Sequence, residues 1–174
     1  MKAGEVFAKI STHMVEGMMM HDQMADAYNF LTLPGFRKLQ ERRFMEETEA
    51  MRRLHLYYIC HYNLLLEEGH PEDPKALPRS WQGYTRQQVT TDTKRKAVHE
   101  LMEHWVRWEK ETKACYQKAY ADLMECGEVA AAQQVKQLIC DVDEELAYAE
   151  MLYLRLEAVN YDMPTMDQMQ AEFD

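Results

Sequence analysis

Apolar residues recur at three- and four-residue steps along most of the chain, and the runs break at only a few places. That period belongs to helices that bury one face. The breaks are "LPGF" at 33–36, "GHPEDPKALP" at 69–78 and Gly127. They predict four long helices, over about 4–32, 36–68, 92–126 and 128–160. Each of these blocks is about 30 residues, or roughly 45 Å of helix. "TTDT" at 90–93 offers N-cap residues for the third, and Gly127 stands where a helix-ending glycine belongs.

The connections are unequal. Two are very short and demand antiparallel hairpins. The middle one, 69–91, holds three prolines and is long enough to cross a bundle from end to end. Two hairpins joined by one long crossover define an all-α four-helix bundle with ferritin-like connectivity, over 1–162. Residues 163–174 read as a polar, methionine-containing tail.

Projection at 100° per residue gives each helix an inward stripe. The first carries Phe7, Ile10, Met14, Met18, His21, Ala25 and Tyr28. The third carries Val98, Leu101, Trp105, Trp108, Thr112, Tyr116, Ala119 and Leu123, with Glu109 at one edge. The fourth carries Val135, Leu138, Val142, Leu146, Ala149, Tyr153 and Leu156, with Glu145 at its edge. The second is unusual: Phe36, Leu39, Arg43, Glu46, Ala50, Leu54, Tyr57, His61 and Leu64 face inward, with Glu47 and Arg53 at the margins. Its other faces are apolar too, through Phe44, Met51, Leu56, Tyr58, Ile59, Tyr62 and Leu65. A helix apolar all round is buried on more than one side, which predicts a homo-oligomer contact through the outer face of helix 36–68.

Composition narrows the class. At 174 residues, 47% hydrophobic and 29% charged, the chain suits one soluble domain. A net charge of −10 argues against a nucleic-acid surface. No apolar run reaches membrane-spanning length, and the start lacks a signal-peptide pattern, so a cytoplasmic location is expected. Cys60, Cys115, Cys126 and Cys140 form no Cys-x-x-Cys pair and are expected as reduced, buried thiols.

Three helices thus aim carboxylates at one interior: Glu46 or Glu47, Glu109 and Glu145. A lone buried carboxylate costs several kcal/mol to keep ionised, so it must take a proton or find a cation. Iron, manganese or another divalent metal, with His21 as nitrogen ligand, is one solution. A guanidinium from Arg43 or Arg53, with no metal at all, is the other. A third use of the interior is to carry a small apolar ligand among the methionines and tyrosines.

"GFRKLQERRFMEETEAMRRLHLYY" resembles the second helix of ferritins and bacterioferritins. "MVEGMMMHDQMADAY", "WEKETKACYQKAYADL" and "ICDVDEELAYAEMLYL" resemble their first, third and fourth helices. The resemblance covers about 140 residues and implies a di-iron position. By position, the second-helix glutamate falls on Glu47 and its histidine partner on Ala50. The third-helix glutamate falls on Glu109 and the fourth-helix acid on Glu145, or on Glu144 with a one-residue shift in the turn. The first-helix glutamate falls near Met14. The chain departs from the family's pattern in lacking the histidine and in carrying arginines beside the acids. The expectation is a degenerate di-metal position in a non-catalytic oligomeric bundle whose carboxylates Glu46, Glu47 and Glu109 pair with Arg43 and Arg53. The alternative is a metal-binding protein, for storage or as a ferroxidase-type oxidoreductase, using Glu47, Glu109 and Glu145.

Overall fold

The structure is a computed structural model and describes residues 2–66, 71, 77, 81 and 83–173. Its helices are α1 (Ala3–Phe30), α2 (Pro34–Tyr62), α3 (Thr91–Glu125), α4 (Val129–Ala158) and α5 (Met163–Glu172), with a 3-10 turn at Arg86–Gln88 before α3. No strand occurs among the described residues.

The long helices end by one device, a residue turned into the left-handed region. Thr32, Asn63, Gly127 and Asn160 have φ of 58°, 52°, 76° and 50°. At Gly127 the following amide, Glu128 N–H, reaches back to the Leu123 carbonyl at 2.9 Å, closing a Schellman turn. Tyr161 N–H repeats the contact on Leu156 and Leu33 N–H on Tyr28, both at 2.9 Å. Pro34, fitted to the first turn of a helix, then starts α2. Asn63 stops α2 six residues short of the expected end, and residues 67–70 lie outside the described part. The Thr90 hydroxyl accepts from Thr93 N–H and caps α3.

α1 lies along α2 and α3 along α4, and α1 packs on α3 to join the hairpins. α2 and α4 meet far less than the two hairpin pairs do, and a cleft opens between them. Two apolar clusters fill the bundle. One contains Tyr28, Phe36, Leu39, Leu101 and Trp105; the other contains Phe7, Ile10, Leu54, Tyr58 and Leu123. Leu77 and Trp81 of the crossover are buried on the first cluster, as an anchoring tryptophan should be. Met14, Met20 and Met24 are core residues, whereas Met19 is exposed. No described helix is long and apolar enough to cross a membrane.

The expected tail is instead a helix. Asp162 accepts from Thr165 N–H at 2.7 Å, Pro164 sits in the first turn, and Met166 and Met169 are fully buried against the first cluster. α5 rests on the start of α2. A Cβ at Gly35 would come within 2.5 Å of the Gln170 backbone, so only glycine permits the contact. The cysteines also differ from expectation. None of the four forms a disulfide among the described residues, but Cys60, Cys126 and Cys140 are exposed and Cys115 is half-buried.

Candidate functional site

Between the two apolar clusters lies a layer of polar side chains contributed by all four long helices. α2 supplies Gln40, Arg43, Glu46 and Glu47; α3 supplies Glu109 and Thr112; α4 supplies Glu145; α1 supplies His21. The buried face of α2 runs through Phe36, Leu39, Gln40, Arg43, Met51, Leu54 and Tyr58. That line is rotated from the expected one. It takes Gln40 in and leaves His61 and Leu64 exposed.

Arg43, 5% exposed, is the hub. Its Nη1 bonds Glu46 Oε2 and stands 3.2 Å from Glu145 Oε1. Its Nη2 stands 3.4 Å from Glu47 Oε1 and 3.6 Å from Glu109 Oε1. Glu46 and Glu47 follow Arg43 by one helical turn, which brings all three to one face. Glu109 is 1% exposed and also accepts from the Trp105 indole N–H at 3.0 Å. Arg53 departs from expectation: it is exposed, on the rim of the α2/α4 cleft, one face round from the buried stripe. Glu145 rather than Glu144 meets Arg43, and Glu144 is exposed. Ala50 lines the cleft in the histidine slot.

One buried guanidinium cannot neutralise four carboxylates, although Arg42 Nε also approaches Glu46 Oε1 at 3.8 Å, and the more buried acids show it. Burial pushes the Glu47 carboxyl up to about 7, against the pull of Arg43 and with help from Glu109, Glu145 and Glu46. Burial also raises Glu109 and Glu145, again opposed by Arg43. Burial works against the charge on Arg43, but the four carboxylates outweigh it and hold its pKa above the ordinary arginine value. The guanidinium therefore stays charged, and burial favours the protonated forms of Glu47, Glu109 and Glu145.

His21 is fully buried. Its Nδ1 lies 2.7 Å from Gln40 Oε1, and its Nε2 faces Glu109 Oε1 at 3.9 Å without a hydrogen-bond partner among the described residues. Burial, then Arg43, pushes its pKa down to about 3, so the imidazole is neutral. Gln40 and Trp105 escaped the sequence reading as polar partners. The signal for Gln40 was its place three residues before Arg43 on the same helical face.

A cleft of about 280 Å³ between α2 and α4 reaches Arg43, Glu47, Glu109 and Tyr116. Among the described residues, no three His, Cys, Asp or Glu side chains form a group able to hold a metal ion. A charged guanidinium stands between the acids instead, and Ala50 offers no nitrogen. The residues do not fit a pair of metal ions.

No protein-family model matches the chain, and no curated protein matches it. Solved structures do. An open-pore ferritin from the hyperthermophilic archaeon Archaeoglobus fulgidus superposes with a TM-score of 0.80, over 99% of this chain and 94% of that one. This is a ferritin-like fold. An engineered closed form of the A. fulgidus ferritin gives 0.81 over the same shares, and a humanized archaeal ferritin gives 0.77. Identities are only 14%, 14% and 13%, so the ferritin-like likeness is one of fold. The bundle connectivity inferred from loop lengths is the one these structures share.

Proposed function

We propose that this chain is a non-catalytic ferritin-like bundle in which a tethered guanidinium takes the place of metal, and that it assembles with further copies of itself. The observation that carries the reading is Arg43, buried and within 3.6 Å of carboxylates from three helices. Oxidase chemistry needs a preorganised metal with open coordination. A buried positive charge on the same acids opposes that, because repulsion between cations is weakly screened where water is scarce.

Assembly is supported by the outer face of α2, where Met45, Leu56 and Ile59 are exposed large apolar residues. Phe44 is half-buried there, whereas Met51, Tyr58 and Tyr62 turn towards the core. The interior of a cell is the compartment this reading assigns, in keeping with four cysteines outside any disulfide among the described residues.

The second reading is a divalent-metal protein, for storage or oxidation, using Glu47, Glu109 and Glu145. Its support is that these acids do converge, and that the structural neighbours are ferritins by name. Elemental analysis of the purified protein, an aerobic Fe(II) oxidation assay and a solution mass decide between them. The first reading expects no stoichiometric metal, oxidation no faster than in buffer, and a mass that is a multiple of 20.6 kDa. Accelerated oxidation lost in Glu109→Ala establishes the second.

A further inference from the structure

We infer that the open α2/α4 seam is a binding groove for a short alkyl diamine: one ammonium sits on Glu47, Glu145 and the Tyr116 hydroxyl, the methylenes lie on Ala50 and Val142, and the second ammonium sits on Asp141. The inference rests on the reading of Arg43 as the resident cation and adds an organic ligand beside it.

The groove is longer than the chamber around Arg43. A second cavity, of about 310 Å³, adjoins the first and shares Ala50, Arg53, Leu138 and Asp141 with it. Together they follow α4 from Glu145 to Gln134, roughly 16 Å of helix. Ala50, Leu54, Leu138 and Val142 make an apolar strip along it. An apolar strip with a few polar groups at set places is the form of a small-molecule site.

Charge sets the class of ligand. Glu49, Asp141 and Glu144 line the groove in addition to the four acids around Arg43, and Arg53 is the one further cation among the described residues that line it. Carboxylates stay in excess, so the groove attracts a cation and repels an anion. Glu47 and Glu145 meet Arg43 through Oε1, yet their side chains stay 13% and 28% exposed and line the groove.

Tyr116 is the independent sign of a ligand. It is 4% exposed and lines the inner end. Its ring packs edge-on against His13, but its hydroxyl has no hydrogen-bond partner among the described residues. Burial, then the charges of Glu47 and Glu109, hold its pKa well above the ordinary tyrosine value, so the hydroxyl is neutral and offers a lone pair. A buried hydroxyl left unpaired costs stability, and a donor in the groove recovers it. Water can donate there, but an ammonium does so with the added strength of charge.

Spacing sets the ligand's shape. Asp141 precedes Glu145 by one turn of α4, about 5.4 Å, with Val142 between them. The Gln137 amide donates to Asp141 at 2.9 Å and holds it in place. Two acidic poles one turn apart across an apolar strip match two ammonium groups on a short methylene chain, and a compact ion cannot reach both.

The test is calorimetric titration of the full-length purified protein with 1,4-diaminobutane at physiological salt, with metal content measured alongside. Wild type binds one diamine per chain, and 1-aminobutane binds roughly 10-fold more weakly or worse. Tyr116→Phe keeps the ring and weakens diamine binding roughly 10-fold, as does Asp141→Asn. Ala50→Leu fills the groove without touching an acid and abolishes binding. Asp167→Asn, an exposed acid on α5, leaves the affinity unchanged. Should Ala50→Leu fail to fold, Tyr116→Phe and Asp141→Asn still decide.

Diamine binding that Tyr116→Phe and Asp141→Asn leave unchanged is condensation on a chain of net charge −10 and overturns the groove. Equal affinity for 1-aminobutane overturns the two-pole occupant. No saturable binding by a metal-free wild type overturns the inference and leaves the Arg43 reading standing. Stoichiometric metal in the purified protein overturns the Arg43 reading, whatever the diamine does.

Discussion

Of the arginine–carboxylate contacts among the described residues, those of Arg155 and Arg43 contrast most, and the better-formed one matters less. Arg155 grips Glu172 of α5 with both nitrogens, at 2.8 and 2.9 Å, in the fork geometry that guanidinium and carboxylate favour. It is on the surface, where water competes and salt screens. Arg43 is spread over four acids, three of them at longer distances, but it is buried. Geometry alone therefore misranks them. The ranking follows from what is left behind when the arginine goes: at α5 a solvated glutamate, in the layer a set of acids that includes the buried Glu109 and the largely buried Glu47.

The largest effect that could break this contrast is Arg43→Ala. Leaving the acids uncompensated should cost about 3–5 kcal/mol. Chemical denaturation at pH 7 measures it, and a loss below about 1 kcal/mol would mean that the acids simply take up protons. Next, the two holds on α5 can be separated. Met169 is fully buried, so Met169→Ala should cost about 3 kcal/mol, within the span for a core methionine. Loss of α5 order, read by amide exchange of residues 163–172, should accompany it.

A third test uses pH. Glu47 titrates near 7 in the folded chain against an ordinary 4.5, so folding takes up a proton between those values, and stability falls as pH rises through them. His21 titrates near 3 against 6.5, so folding releases a proton, and stability falls as pH drops from 6.5 towards 3. Between 4.5 and 6.5 the two oppose. Glu109 and Glu145, also raised, add to the Glu47 side. Wild type should therefore be flat or falling across that window. Glu47→Gln should be steeper in the rising sense by about one proton, or about 1.4 kcal/mol per pH unit. Parallel denaturant midpoints for the two proteins would refute the assignment. The smallest effect is Arg155→Ala, which should leave the melting temperature within error. A clear fall there would show that the surface clamp, not the methionines, holds α5.

How much of this could be read from residues alone follows the same divide between local and collective physics. The four helices were legible because period and breakers are local. So was the approach of Glu109 and Glu145 to the Arg43 face, since helical phase carries across one element. The rotation of α2 was not, because it depends on how α1 and α3 meet it, and this put Arg53 and His61 on the wrong side. α5 was missed although "DMPT" holds an Asp cap and a first-turn proline. A ten-residue helix with two apolar anchors gives too weak a period to stand out from a tail. Asn63 was missed as a helix end because asparagine turns left-handed less obligatorily than glycine.

Two densely packed hairpin seams, a lighter α1/α3 seam and the open α2/α4 seam give the bundle the form of a book. α1 and α3 make the spine, each hairpin is a cover, and α2 and α4 are the fore-edges. Arg43 and Glu145 reach across those edges at 3.2 Å as a clasp. Whatever loosens that clasp would let the covers part from the outer side while the spine stays shut, so the route to the acids and the joint that guards them are the same pair of side chains.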